Sequence, residues 1–134
     1  MVARVVADDN VTPNALTVWL CHGYGAPGND LCGIAGEVLA ERPELSSRVR
    51  FVFHEAPLAL ELMPKGCRAW WNIDVGRFER ALQTGELEQL FDETPEGMPA
   101  ARKALRAALD AWCTSTNTPV SRVVLGGFSQ GAMI

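Results

Sequence analysis

The residues most able to do chemistry lie in one pentapeptide, Gly127-Phe128-Ser129-Gln130-Gly131, which fits the pattern G-x-S-x-G. In that pattern a serine occupies a sharp, strained turn between a strand and a helix, with its Oγ exposed as a nucleophile. The backbone approaches so closely at such a turn that neither position two residues away tolerates a side chain. Ser129 is therefore the candidate nucleophile, and Gly127 and Gly131 form the nucleophile elbow. The alternative is a glycine-rich strand end with an incidental serine, because such short matches arise by chance.

A second candidate element is the loop Cys-His-Gly-Tyr-Gly at residues 21–25. An acyl-transfer enzyme with this kind of serine needs one backbone N–H from such a loop, paired with the N–H of the residue after the nucleophile. The sequence predicts Tyr24 and Gln130 as these donors. Because both would act through the main chain, we expect Tyr24→Phe and Gln130→Ala to keep most of the turnover. His22 is expected to shape the loop by hydrogen bonding, since the general base follows the nucleophile in chain order.

The elements that must position these residues alternate between strand and helix, which predicts an α/β fold with a mostly parallel sheet and helices on both faces. Apolar runs predict strands at residues 15–21, 48–54 and 122–126, the first of them central. Apolar residues at helical spacing predict one helix after the first loop, capped by Asn29 or Asp30, and another from about Pro99. The connection between residues 55 and 99 is predicted to be a long loop with a short helix near residues 85–91.

Composition and charge exclude several other classes of function. The formal net charge is −4 and the basic residues are scattered, so nucleic acid and anionic membranes are not expected partners. No segment reaches the roughly 18 apolar residues of a membrane span, and the N-terminus lacks a signal-peptide pattern, so we expect a soluble, cytoplasmic protein. The four cysteines and two histidines form no zinc-like spacing, so no metal is predicted.

Three segments of the sequence resemble the phospholipase/carboxylesterase family of α/β-hydrolases, which includes acyl-protein thioesterases. They are LCHGYGAPGNDL, RFVFHEAP followed by RAWWNID, and VSRVVLGGFSQGAM, in the family's order and approximate spacing. The resemblance implies an α/β-hydrolase fold, a Ser129 nucleophile and backbone oxyanion donors at Tyr24 and Gln130. It also implies that Trp70 and Trp71 border the acyl-binding groove, although packing in a lid or core is an equal alternative for such large aromatic side chains.

The same resemblance implies a reaction and its substrates. Carboxylic esters or acyl thioesters would be hydrolysed through an acyl-enzyme at Ser129, with no metal or organic cofactor. The substrate would be a small molecule, a lipid or an acylated protein.

The sequence departs from the family's pattern after the nucleophile elbow. Members of the family continue through further strands and helices that supply first an Asp and then a His, whereas this sequence ends five residues after Ser129. Neither His22 nor His54 fits the missing base, and no motif assigns Asp92 or Asp110 as the acid. We therefore interpret residues 1–134 as a partial α/β-hydrolase domain, expected to be inactive alone. The alternative function is that of an inactive hydrolase fragment or a non-enzymatic binding remnant.

A dinucleotide-binding site is the competing enzymatic interpretation. Gly23, Gly25 and Gly28 satisfy G-x-G-x-x-G after a strand, with Glu55 at the end of the next strand. Against this interpretation, Pro27 has no N–H to offer a pyrophosphate, and the G-x-S-x-G pentapeptide would stay unexplained.

Overall fold

The computed structural model describes residues 3–86, 88 and 92–134 of the chain, without the side chain of Ala3. The strands in this part are β1 (Ala3–Val6), β2 (Leu16–Cys21), β3 (Val49–His54), β4 (Leu58–Ala59), β5 (Arg68–Ala69) and β6 (Val123–Gly127). The α-helices are α1 (Cys32–Glu41), α2 (Val75–Thr84), α3 (Met98–Ser115) and α4 (Gln130–Met133). Single 3₁₀ turns cover Pro43–Leu45 and Val120–Arg122.

Four strands form one sheet in the order β1-β3-β2-β6. β2 pairs in parallel with β3 on one side and with β6 on the other, whereas β1 joins β3 antiparallel. The predicted mostly parallel sheet and the interior position of the first predicted strand are therefore confirmed. β1 was not expected from the sequence, and β4 and β5 form a separate antiparallel pair.

The two faces of the sheet carry separate apolar clusters, because successive side chains of a strand point to opposite sides. On one face Trp19 and Cys21 pack with Val52 and with Met98 and Leu105 of α3. On the other face the apolar residues of β2 and β3 pack against α1, and the members are Val18, Leu20, Phe51, Phe53 and Ala35. Helices thus cover both faces, as the alternating pattern predicted.

Helix α1 begins later than its predicted caps. Leu31 is its N-cap residue, and no side chain caps the helix, so the prediction of Asn29 or Asp30 as the cap is wrong. The physical reason is a backbone turn, in which the N–H of Asp30 donates to the carbonyl of Pro27 and that of Cys32 to the carbonyl of Asn29. The second bond satisfies the amide of Cys32, which a capping side chain of Asn29 or Asp30 would otherwise serve.

Helix α3 follows its prediction closely. It starts at Met98 with proline in its first turn, where the missing N–H costs nothing. Ala101 and Leu105 are buried, and Ala108, Leu109 and Trp112 pack against the same cluster. These residues belong to the face that helical spacing predicts to be apolar, which comprises Ala101, Ala104, Leu105, Ala108, Leu109 and Trp112. The predicted face is therefore the one that covers the sheet.

The long connection contains more regular structure than expected. It holds the β4–β5 pair and helix α2, whose N-cap Asp74 accepts a hydrogen bond from the backbone N–H of Arg77 at 2.8 Å. Gly85 ends α2 with φ of 77°, a conformation that favours glycine. The predicted short helix near residues 85–91 includes residues 87 and 89–91, which lie outside the described residues. Among the described helices, none is both long enough and apolar enough to cross a membrane.

Candidate active site

The nucleophile elbow is a tight turn that only glycines can flank. β6 leads directly into Ser129, which is exposed and has φ of 51° and ψ of −120°, and α4 begins at the next residue. A Cβ on Gly127 would overlap the carbonyl oxygen of Gly131, and a Cβ on Gly131 would overlap the carbonyl oxygen of Cys21. A positive φ at a residue with a side chain costs about 1–3 kcal/mol, so the surrounding contacts must hold Ser129 in this conformation.

The loop of residues 22–25, called the oxyanion loop after the role that the sequence predicts for it, lies beside the elbow because β2 and β6 are adjacent parallel strands. Cys21 ends β2 opposite Gly127 of β6, and the backbone N–H of Phe128 donates to the carbonyl of Cys21 at 3.0 Å. A Cβ on Gly23 would lie 3.1 Å from the Phe128 ring. The carboxyl ends of neighbouring parallel strands are where α/β proteins place their ligands.

The backbone N–H groups of Tyr24 and Gln130 keep their donor capacity. Within the described part of the chain, the amides of Tyr24 and Gln130 donate to no protein acceptor, whereas the N–H of Gly25 donates to the carbonyl of Arg68 at 2.9 Å. The N–H of Gln130 is also among the first donors of α4, which have no partner inside a helix. These are the two amides that the sequence predicted as oxyanion donors.

His22 is buried in the loop, with a side chain 1% exposed. The N–H of Ala56 donates to its Nε2 at 3.1 Å, so the ring proton is assigned to Nδ1, which donates to the carbonyl of Gly23 at 2.8 Å. Burial lowers the pKa of His22, although the hydrogen bond to Gly23 and the charges of Asp30 and Glu55 act in the opposite direction. A neutral ring with both nitrogens engaged is what a loop-shaping residue requires.

Trp70 and Trp71 lie in the core, 1% and 3% exposed. The indole Nε1 of Trp70 donates to the carbonyl of His22 at 2.9 Å, and its ring lies near-parallel to the ring of His54 at 5.8 Å. Both tryptophans pack with the cluster that α3 covers. Of the two roles left open by the sequence, this burial supports core packing and offers no tryptophan surface to a substrate groove.

The side chain of Gln130 has a structural role that sequence reasoning missed. It is 3% exposed; its Oε1 accepts from the backbone N–H of Trp70 at 2.8 Å, and its Nε2 donates to the carbonyl of Trp71 at 2.9 Å. Each buried backbone group left without a partner costs about 1–3 kcal/mol. The expectation that Gln130→Ala keeps most of the turnover considered only the backbone amide and did not include these side-chain bonds. They link residues 60 and 59 positions apart, which no local sequence pattern connects.

The other candidate groups do not join Ser129. Within the described residues, neither His22 nor His54 forms a hydrogen bond with the hydroxyl of Ser129. In the same part of the chain, no group of three or more His, Cys, Asp or Glu could hold a metal ion. Burial raises the pKa of Cys21 to about 12, so this nearby thiol is not a competing nucleophile at neutral pH. Among the described residues, the site thus holds an exposed serine hydroxyl and the unengaged backbone amides of Tyr24 and Gln130.

Two comparisons with known proteins agree with this geometry. A family model described as Phospholipase/Carboxylesterase matches residues 2–134. Acyl-protein thioesterase 1 homolog 1 of Dictyostelium discoideum is 22% identical over 126 residues, which are 92% of this chain and 50% of that protein. The chain thus spans about half the length of this curated relative.

The elbow geometry predicts opposite effects for two Gly→Ala changes in the full-length protein. Gly131→Ala should cost more than about 4 kcal/mol of unfolding free energy or prevent folding, because its Cβ would overlap rigid backbone oxygens. The matched control is Gly36→Ala, where no atom lies within 4 Å of the new Cβ. In the interior of α1 that change should stabilise by about 0.5–1 kcal/mol. Urea denaturation measures both, and a well-tolerated Gly131→Ala would contradict the close approach.

Burial of His54 is expected to make the stability of the protein sensitive to acid. Burial lowers the pKa of His54 to about 4, whereas an unfolded histidine titrates near 6.5. Because the unfolded state binds the proton more readily, this stabilisation is complete above pH 6.5 and is lost as the pH falls towards 4. Between pH 7 and pH 4, the free energy of unfolding should therefore fall by about 3 kcal/mol less in His54→Phe than in the unaltered protein. Equal losses in paired urea titrations would rule out His54 as the source.

Proposed function

The chain belongs to the phospholipase/carboxylesterase family of α/β-hydrolases, and from that premise we propose that the whole protein hydrolyses carboxylic esters or acyl thioesters through an acyl-enzyme at Ser129. One observation carries the assignment of the nucleophile. Ser129 is exposed in a strained conformation between two glycines that have no space for a side chain. Strain of this kind persists where the surroundings over-determine it, and it concentrates at functional sites.

The proposed reaction proceeds in two steps. A general base takes the proton of the Ser129 hydroxyl as its Oγ attacks the carbonyl carbon, and the resulting oxyanion accepts hydrogen bonds from the N–H groups of Tyr24 and Gln130. Collapse of this intermediate expels the alcohol or thiol, which receives that proton, and leaves the acyl group on Ser129. Water, deprotonated by the same base, then attacks the acyl group and releases the carboxylic acid as Ser129 regains its proton. The free donor capacity of these two amides supports their role.

The general base and its carboxylate are proposed to come from sequence outside residues 1–134, which would then be one part of the hydrolase domain. In proteins with a G-x-S-x-G elbow the acid and then the base follow the nucleophile in chain order. His22 is unsuited to the task because both its ring nitrogens already have backbone partners.

The substrate could be a small ester, a lipid or an acylated protein. The curated relative is named an acyl-protein thioesterase, which makes an acylated protein one candidate for this chain. We propose that the reaction needs no metal or organic cofactor, since Ser129 and the amide donors supply the covalent and electrostatic steps. A cytoplasmic location remains part of the proposal.

Covalent labelling tests the nucleophile. In the full-length protein a fluorophosphonate probe should modify Ser129 and no other serine, because only this hydroxyl lies at the elbow. Ser129→Ala should abolish labelling. Ser115→Ala is the matched control, because its hydroxyl only donates to the carbonyl of Trp112 at the end of α3. Peptide mapping by mass spectrometry locates the adduct. An adduct on another serine would contradict the assignment of Ser129 as the nucleophile. An unlabelled full-length protein would favour the alternative of a catalytically inactive protein.

Substitutions at Tyr24 separate its backbone from its side chain. Tyr24→Phe should keep most of the turnover because the amide donor remains, whereas Tyr24→Pro removes the N–H and should lower kcat by about 10²- to 10³-fold. Circular dichroism and thermal melting must first show that the proline variant is folded. A hundredfold loss in folded Tyr24→Phe would instead make the phenol hydroxyl the working group.

A further inference from the structure

A relay of buried hydrogen bonds connects the nucleophile elbow to the oxyanion loop. The side chain of Gln130 joins the elbow to the backbone of Trp70 and Trp71, at 2.8 and 2.9 Å. The indole N–H of Trp70 then donates to the carbonyl of His22, the residue at the start of the loop, at 2.9 Å. All four of these residues are at most 3% exposed.

We propose that the side chains of Gln130 and Trp70 are positioning residues, which set the separation between the two oxyanion donors, the amides of Tyr24 and Gln130. The proposal rests on acyl transfer at Ser129. It adds a second role to Gln130, whose backbone donates to the oxyanion while its side chain locates the opposite donor.

The relay reaches both donors at short range. On one side, the side chain of Gln130 belongs to the same residue as the first donor amide. On the other, the carbonyl of His22 is held by Trp70 and the carbonyl of Gly23 by the ring of His22, which restrains the peptide units leading to the amide of Tyr24. Past that amide, the N–H of Gly25 is held by the carbonyl of Arg68. The loop is thus restrained on each side of the amide of Tyr24, which donates to no acceptor within the described residues.

Such restraint matters because an oxyanion donor works only within a narrow distance of the developing charge, about 2.7–3.1 Å. The two donors come from different elements, the β2 loop and the start of α4. Parallel pairing of β2 with β6 sets their coarse placement. Buried side-chain hydrogen bonds with little competing water supply the finer adjustment.

A purely structural role for the side chains of Gln130 and Trp70 would affect stability but not turnover. If Gln130 and Trp70 only filled and satisfied the core, their replacement would lower stability and leave the kcat of each folded molecule unchanged. A positioning role requires kcat to fall while KM changes little, because misplaced donors weaken binding of the transition state more than that of the substrate.

The test uses the full-length protein with Gln130→Met and Trp70→Phe. The first change keeps a side chain of similar length without its hydrogen bonds, and the second keeps an aromatic ring without the indole N–H. Trp112→Phe is the matched control, since Trp112 packs on the same cluster and its Nε1 has no hydrogen-bond partner in the described structure. Fluorophosphonate titration of Ser129 counts the competent molecules, so that kcat on a nitrophenyl ester refers to folded protein alone.

We expect Gln130→Met and Trp70→Phe each to lower kcat by about 10-fold or more, below the 10²- to 10³-fold of a lost donor, with KM within about threefold. Affinity for a trifluoromethyl ketone, which forms the tetrahedral oxyanion, should fall in parallel. The double variant should lose less than the product of the single effects, because both changes break one relay. Trp112→Phe should keep its kcat.

Unchanged kcat and ketone affinity in folded Gln130→Met and Trp70→Phe would overturn the proposal while leaving acyl transfer at Ser129 intact. If Gln130→Met does not fold, Trp70→Phe decides, because it retains most of the buried ring. An unaltered full-length protein with neither turnover nor labelling at Ser129 would instead remove the proposed function, and the positioning role with it.

Discussion

The close approach of α4 to the end of β2 is the constraint on which the rest of the site depends. Gly131 lies against the carbonyl oxygens of Cys21 and His22, so closely that even a methyl group would overlap them. This approach holds Ser129 at a positive φ, and it brings the first amides of α4 beside the oxyanion loop. The parallel pairing of β2 with β6 makes it possible, because it sets both strand ends side by side.

Three buried residues beneath this contact form a connected set of hydrogen bonds. His22, Gln130 and Trp70 satisfy one another's backbone or side-chain groups in a region that is at most 3% exposed. Unpaired polar groups would be costly there, so the network favours one arrangement of the loop and the elbow. The amides of Tyr24 and Gln130 donate to no acceptor within the described residues, whereas the next amides, those of Gly25 and Gly131, are bonded to backbone carbonyls.

Local patterns predicted the sheet and its two covering helices well and the long connection poorly. Largely apolar runs identified β2, β3 and β6, and apolar spacing identified the buried face of α3. α2 was missed because its sequence is mainly polar and lies among prolines and glycines, although Asp74 before it and Gly85 after it are ordinary boundary signals. β1 is only four residues long and takes its structure from pairing with β3.

The sequence by itself determined the elbow, the position of Ser129 and the family resemblance, because these follow from residue types at neighbouring positions. Only the tertiary structure decided that Trp70 and Trp71 are buried and that the Gln130 side chain binds their backbone, across 60 and 59 residues. Hydrogen bonds between such distant positions form when the folded chain brings them together. Their geometry depends on the packing of the whole sheet, so no local spacing encodes it.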